Sequence, residues 1–209
     1  MRTGLWDNPP PMPDLRLARQ VAFLVEADKL KSILRRTPLV DASRLENSAE
    51  HSWHLVLVAM IMQEYATVPI DLMHVIELVT VHDLVEIDAG DTFAYDTAGL
   101  ATKIERELAA ADRIFGLLPE DQREYVRDLW EEFEAQDTPE SRFANALDRL
   151  QPFLLNAHAG GGSWRTHNLT RDQIMKRMAP IEAAMPRLWP LVVQVIDSFC
   201  AAGLIDRSV

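Results

Sequence analysis

Two adjacent residues, His82 and Asp83, lie in an otherwise largely apolar stretch, residues 75–86, that has the pattern of a helix. A carboxylate buried in such a helix has a high free-energy cost unless it is ion-paired or bound to a metal. Glu86 follows at i+4 from His82 and i+3 from Asp83, which places it on the same helical face. We therefore interpret this segment as part of a metal site with a carboxylate held beside it.

Two other segments can complete that site. His51 shares helical spacing with the apolar residues Leu55 and Val58, so it lies at the inner edge of a stripe that faces the core. Asp148 lies on an otherwise apolar helix, four residues before Pro152. Because proline removes a helical hydrogen bond and bends the chain, Pro152 offers a way of aiming this carboxylate inward.

The predicted ligand set is His51, His82, Asp83 and Asp148, which gives two nitrogen and two oxygen donors. Such a set suits a divalent transition metal ion, namely Mn²⁺, Co²⁺, Fe²⁺, Ni²⁺ or Zn²⁺, with open positions for water and substrate. Taken singly, each residue has a plainer explanation: a histidine on an apolar face is commonly a satisfied core residue, and Asp148 could pair with the adjacent Arg149. The combination favours the metal site.

The arrangement resembles the HD-domain superfamily of metal-dependent phosphohydrolases, in which a histidine, a His-Asp pair and a later aspartate ligate the ion. It is more closely similar to the bacterial 5′-deoxynucleotidases and their relatives. The resemblance extends over residues 22–156 and is carried by three segments in the family's order and spacing: residues 46–52 (ENSAEHS), residues 82–91 (HDLVEIDAGD) and residues 146–152 (ALDRLQP).

The resemblance implies roles for three further residues. Glu86 matches the acid that handles the nucleophilic water, and Asp91 matches a second acid that assists near the leaving group. Arg36 aligns with the arginine that binds the 5′-phosphate. The next residue is Thr37, whereas the family commonly has a tryptophan that favours deoxyribose over ribose. The resemblance therefore does not define the sugar selectivity of this chain.

Each of these three residues also has an alternative explanation. Glu86 could orient a ligand histidine instead of a water molecule. Asp91 follows Gly90 and could be a turn or helix-cap residue. Arg36 could be a solvated charge at the end of a helix.

The resulting expectation is an enzyme that removes the 5′-phosphate from (deoxy)nucleoside monophosphates by attack of a metal-activated water, with one divalent ion per subunit. One alternative is an HD phosphohydrolase that acts on a nucleoside di- or triphosphate. Another is a sensor that binds metal and nucleotide without turnover, although the intact Glu86 favours an enzyme. A dinuclear oxygenase fits less well, because no histidine lies between Asp83 and Asp148 to hold a second metal.

The composition is that of an ordinary globular protein, with 209 residues, of which 48% are hydrophobic and 25% charged. The net charge of −11 argues against a nucleic-acid polymer as partner, since such proteins need basic residues to displace counterions. The single cysteine, Cys200, excludes an internal disulfide, and no apolar run is long enough to span a membrane. The first residues have no hydrophobic signal core, so we expect a cytoplasmic location.

The expected fold is all-α: a single-domain HD-type helical bundle over residues 15–209, preceded by a Pro-rich leader over residues 1–14. No alternating strand pattern is found, and the glycines of residues 160–163 predict a flexible loop. The apolar last helix exceeds what a monomer would cover, so we expect a homodimer. The predicted helices are Leu15–Leu34, Ala49–Tyr65, Leu72–Asp88, Leu100–Phe115, Glu120–Glu134, Glu140–His158, Arg171–Ala184 and Arg187–Ala202.

Overall fold

Helices packed around one central helix make up almost the whole structure, a computed structural model that describes residues 14–206. The proposed leader, apart from Asp14, lies outside the described residues. The helices are α1 Leu15–Ala27, α2 Ser48–Met62, α3 Leu72–Val81, α4 Glu86–Ala89, α5 Thr97–Ala101, α6 Lys103–Phe115, α7 Glu120–Ala135, α8 Pro139–His158, α9 Gly162–Thr166, α10 Arg171–Ala184 and α11 Trp189–Ala201. The strands are β1 Leu34–Pro38 and β2 Leu45–Asn47, and single 3₁₀ turns cover Asp28–Ser32, Gln63–Tyr65 and Pro186–Leu188. The expected all-α single-domain bundle is confirmed.

The central helix is α8, which packs against α2, α3, α7 and α10. Its buried residues Phe143, Leu147 and Leu150 follow helical spacing and form one apolar face of the core. The same helix also buries polar side chains, including Asn145, which explains why it is not uniformly apolar. Within residues 14–206, no helix has both the length and the apolar character needed to cross a bilayer.

Side-chain caps fix where the helices begin. Asn47 caps α2 in a reciprocal box with Glu50, and Thr170 forms such a box with Gln173 at the start of α10. The side chain of Asp71 accepts hydrogen bonds from the first backbone N–H groups of α3. Because Asn47 is also the last residue of β2, α2 starts directly from the sheet and its first turn has a fixed place.

The predicted helix over Leu72–Asp88 is interrupted by a turn at residues 82–85. Helix α3 ends at Val81, and the backbone then tightens, with the Leu84 N–H donating to the Val81 carbonyl at 3.1 Å and the Glu86 N–H to the Asp83 carbonyl at 3.0 Å. These i to i+3 bonds wind the chain more tightly than an α-helix does. The tight turn thus places the adjacent side chains of residues 82 and 83 where both can face one point.

The two-stranded sheet was not predicted. The first helix ends at Ala27 instead of Leu34, and β1 then pairs antiparallel with β2 in an irregular register. Strand β1 does alternate, since Leu34 and Arg36 are exposed while Arg35 and Thr37 face inward. The inward residues are polar because they face the charged site described below. The strand therefore lacks the alternation of apolar and polar residues by which a strand is recognised in a sequence.

The glycine-rich segment forms a turn that leads into the short helix α9. The Asn156 side chain accepts hydrogen bonds from both the backbone N–H and the hydroxyl of Ser163, at 2.7 and 2.9 Å. Trp164 is buried between Phe153 and Phe199, with ring centroids 5.5 Å away in each case.

The core makes a testable contrast between two residues of α3. Leu78 is fully buried, whereas Met73 is 64% exposed on the same helix. We expect Leu78→Ala to lower the free energy of unfolding by about 2–5 kcal/mol, because it leaves a cavity in the core. Met73→Ala should change it by about 0.5 kcal/mol or less. Urea denaturation of the two variants measures both values, and equal effects would contradict this description of the core.

Candidate metal centre

Four side chains from three places in the chain meet at the centre of the bundle. His51 comes from the first turn of α2, His82 and Asp83 from the tight turn after α3, and Asp148 from the middle of α8. Ligand atoms of His51, His82 and Asp83 all lie within 4.8 Å of one another. Asp148 Oδ1 lies 2.9 Å from His51 Nε2 and 3.9 Å from His82 Nε2. The structure therefore brings together all four residues that the sequence suggested as ligands.

His82 is held as a metal-binding imidazole would be. Its Nδ1 lies 2.9 Å from the Val79 carbonyl, to which an Nδ1–H can donate, so that Nε2 faces the other three side chains. Although Nε2 lies 3.0 Å from Asp83 Oδ1, this buried nitrogen makes no hydrogen bond to any described residue. When the imidazole is neutral with its hydrogen on Nδ1, the buried Nε2 lone pair has no donor, which is rare in proteins, and a cation would satisfy it at this point. The donor set thus fits a divalent ion.

His51 is oriented by a chain of buried amide and carboxylate groups. Its Nδ1 lies 2.9 Å from Gln151 Oε1, and Gln151 Nε2 donates to Glu46 Oε2 at 2.9 Å. The amide orientation leaves Nδ1–H as the donor, so His51 Nε2 carries the free lone pair toward Asp148. Burial, and then the charge of Arg35, lower the pKa of His51 to about 4. This imidazole is therefore neutral and able to bind metal at neutral pH.

Arg35 compensates the negative charge of the site. Its side chain is only 12% exposed, its Nη1 donates to Asp83 Oδ2 at 2.6 Å, and its Nη2 lies 3.7 Å from Asp148 Oδ1. Burial alone would raise the pKa of Asp83, but His82 and Arg35 outweigh it and keep that pKa below its usual range. Burial also opposes ionisation of Asp148, whose pKa is nevertheless well below normal because of Arg149 and His51. Both carboxylates are ionised, as metal ligands must be.

Glu86 lies beside the ligands without being tied to them. The Ser48 hydroxyl donates to Glu86 Oε2 at 2.6 Å, and the carboxyl is buried. Burial, and then the charge of Asp83, raise the pKa of Glu86 well above its ordinary value. A carboxyl group with a raised pKa takes up a proton more readily than an ordinary glutamate, which is the property of a general base or acid.

Asp91 and Arg36 lie farther out. Gly90, with φ +73°, ends α4 and turns the chain, and Asp91 follows half-buried on the cavity wall. Burial raises the pKa of Asp91, although Arg35 opposes this effect. Arg36 is exposed and lines the rim of the cavity next to the site. The buried Thr37 lines the same cavity. The site thus has a deep part with the ligands and a shallower part with Arg36.

Two adjoining cavities lead to these groups. The deep cavity, of about 190 Å³, is lined by His82, Asp83, Glu86 and Asp148 among others. The outer cavity, of about 90 Å³, is lined by Tyr95 and Trp164 together with Arg36. Residues common to both walls are Arg35, Asp91, Thr92, Ala94, Asp148, Arg149 and Arg177. A small molecule that enters the outer cavity can therefore reach the ligand set.

Three residues that support the ligands were not predicted from the sequence, namely Arg35, Ser48 and Gln151. Arg35 adjoins Arg36, and only the strand face distinguishes the two. Gln151 lies three residues after Asp148 on α8, so both are on one helical face. That spacing was a usable signal, because a glutamine on an otherwise apolar face also needs a buried partner.

The chain belongs to the HD domain family, because the model of that family matches residues 27–189. This confirms the resemblance noted from the sequence. The structure is also similar to that of a protein from Magnetospirillum magnetotacticum described as a predicted metal-dependent phosphohydrolase. The two share 48% sequence identity and a TM-score of 0.88, over 93% of this chain and 98% of the other.

Curated relatives carry a more specific name. The 5′-deoxynucleotidase HDDC2 of Danio rerio is 30% identical over 135 residues, which cover 62% of this chain and 66% of that protein. The protein of the same name from Homo sapiens is 29% identical over 136 residues, which cover 63% and 65% of the two chains. The match thus spans just under two thirds of these relatives. A conserved hypothetical protein from Pyrococcus furiosus, with a TM-score of 0.58 at 21% identity, shares the fold alone.

The hydrogen bond from His51 to Gln151 gives a testable prediction. Gln151→Leu keeps the approximate volume but cannot accept from Nδ1–H, so His51 loses its fixed orientation. We expect the affinity for Mn²⁺ to fall by about 10- to 100-fold, measured by isothermal titration calorimetry. Gln194→Leu, at an exposed position of α11, is the matched control. Equal Mn²⁺ affinities of the Gln151 variant and the wild type would refute the orienting role.

The protonation of His82 gives a second prediction. Burial lowers its pKa, but the neighbouring carboxylates, Asp83 above all, outweigh burial and raise the pKa to about 9. A metal ligand must be neutral, so binding at pH 7 should release about one proton from His82, and affinity should increase with pH up to about 9. Calorimetry in buffers of different ionisation enthalpy counts the proton. Glu86→Gln removes a neighbouring carboxyl group whose pKa is also raised, and absence of release in that variant would contradict the assignment to His82.

Proposed function

We propose that this protein is a metal-dependent phosphohydrolase that removes the 5′-phosphate from nucleoside monophosphates, with His51, His82, Asp83 and Asp148 as ligands of one divalent transition metal ion. The observation that carries the proposal is the convergence of these donors beside the buried Glu86. The description of the Magnetospirillum protein and the names of the curated relatives support the same chemistry. The nucleotide specificity rests on the relatives' names and on the matched motifs.

A divalent ion at these ligands supplies Lewis acidity, which lowers the pKa of water and polarises a phosphoryl group. Glu86 accepts the proton of the attacking water, because its raised pKa makes it a stronger base than an ordinary glutamate. The Ser48 hydroxyl occupies one carboxylate oxygen of Glu86 and so leaves the other oxygen for the water. In this way Ser48 fixes the orientation of the base.

Arg36 and Asp91 act on the substrate side. The planar guanidinium of Arg36, at the rim of the outer cavity, is suited to phosphate oxygens. Asp91 has a raised pKa, which favours the protonated form, and it lines both cavities. In this proposal it donates a proton to the oxygen of the departing nucleoside. Thr37 lines the outer cavity where the family commonly has tryptophan, so we do not assign a preference between ribose and deoxyribose.

The expected homodimer belongs to the same proposal. The apolar run of α11 is largely used within the chain, since Val192 and Ile196 are fully buried. A larger exposed apolar group lies on α2, namely Trp53, Leu57, Met60 and Ile61. Gel filtration with light scattering measures the oligomeric state, and a monomer at all concentrations would remove this part of the proposal.

The central prediction concerns Glu86. Metal-stripped protein is reloaded separately with Mn²⁺, Co²⁺, Mg²⁺ and Zn²⁺ and assayed for phosphate release from mono-, di- and triphosphates of nucleosides and deoxynucleosides. We expect release from the monophosphates, and we expect Glu86→Gln to lose about 10²-fold or more of the turnover while it still binds metal. The loss follows because an amide cannot take the proton of water.

The matched control is Asp88→Asn, which makes the same change of charge at an exposed position of α4. It should keep the turnover of the wild type. Near-normal turnover of Glu86→Gln would show that another group handles the water. Binding of nucleotides without phosphate release by the wild type would instead favour a sensor.

A further inference from the structure

Arg177 is a cation in the cavity wall that the mechanism above does not use. It lies on α10 three residues after Ile174 and next to Met178, both of which are buried against the core. Because residues three apart share a helical face, the side chain of Arg177 is directed inward and not to solvent. It lines both the deep cavity with the ligands and the outer cavity.

The other cations of the deep cavity are paired. Arg35 contacts Asp83 at 2.6 Å, Arg149 contacts Asp148, and Lys103 lies 3.1 Å from Glu107. Arg177, by contrast, makes no hydrogen bond or ion pair with any residue of the described range 14–206. Its guanidinium therefore has free donors on a cavity wall shared with metal ligands.

The surroundings of Arg177 make an anion favourable there. Burial, and then the charge of Arg149, lower the pKa of Arg177 to about 10, so the guanidinium is still charged at neutral pH. Burial also raises the pKa of Tyr95, which lines the outer cavity, to about 12 and keeps its hydroxyl able to donate. A charged group removed from water and left without a partner is costly. An anion placed against it recovers that free energy through charge-assisted hydrogen bonds.

We propose that Arg177 is a substrate-binding residue whose guanidinium holds the phosphate that is to be removed, in the cavity that the exposed Arg36 also lines. This inference rests on the proposed function, since it names a residue that recognises the substrate of that reaction. The planar fork of arginine fits two phosphate oxygens at once, which a lysine ammonium does not. The neighbouring Asp148 and Asp83 exclude an anion from the ligand set itself unless a metal ion is bound there.

The test uses the full-length, Mn²⁺-loaded protein in three variants. Arg177→Gln removes the charge, Arg177→Lys keeps the charge but not the fork, and Lys176→Gln removes a charge from the adjacent exposed position of α10. Each is titrated with inorganic phosphate by calorimetry, and kcat and KM are measured for a nucleoside monophosphate and a nucleoside diphosphate. Circular dichroism and the Mn²⁺ content establish that each variant is folded and loaded.

We expect Arg177→Gln to weaken phosphate binding by about 10- to 100-fold and to raise KM for the monophosphate by a similar factor. Arg177→Lys should give an intermediate loss, and Lys176→Gln should match the wild type. Should Arg177→Gln not fold, a loss of phosphate affinity in Arg177→Lys supports the proposal and an unchanged affinity overturns it.

Several outcomes would overturn the inference. These are phosphate affinity unchanged in Arg177→Gln, an equal loss in Lys176→Gln, no phosphate binding by the wild type, or an effect confined to the diphosphate. The last outcome would assign Arg177 to a second phosphate group. If the wild type releases no phosphate from any nucleotide, the proposed function fails, and the phosphate titration alone still decides the role of Arg177.

Discussion

Negative charge buried at the centre of the bundle is the constraint on which the rest of the structure depends. Glu46, Asp83, Glu86 and Asp148 are buried in a bundle whose core is largely apolar. Removing each ionised carboxylate from water costs on the order of several kcal/mol, even after the protein relaxes. Arg35 offsets part of this cost through three of these acids, and a divalent ion between the histidines and aspartates would offset most of the remainder. A site of this composition is therefore stable only with cations in it.

The secondary structure delivers those charges to one point with little freedom. The two strands of the small sheet carry Arg35 and Glu46, which both contribute to the site. The capping box at Asn47 starts α2 directly after the second strand. The tight turn after α3 aims two adjacent side chains inward, and α8 places Asp148 and Gln151 on one face. Each ligand is thus attached to a helix end or a helix middle and not to a long loop. This rigidity holds the donors close together.

The sequence predicted those site residues whose polarity differs from that of the apolar residues around them. His51, His82, Asp83 and Asp148 stand out because polar groups occupy apolar helical faces. The sequence could not show which of Arg35 and Arg36 faces the ligands, because this depends on which face of the strand is buried. The tight turn at His82 also leaves no periodic signal, since the sequence there continues a helical pattern. Tertiary contacts with α8 and the sheet decide both cases.

The net charge of −11 does not prevent recognition of an anionic substrate. Charges on the surface act through water and are screened within about 8 Å at physiological ionic strength. The cavity wall is different, because there Arg177 and Arg149 are partly buried and screened much less. A divalent ion at the ligands would make the local potential of the cavity more positive, although the protein as a whole is acidic. A few cations in the cavity wall therefore decide whether the site accepts an anionic substrate. The acidic surface affects the rate of encounter more than the binding itself.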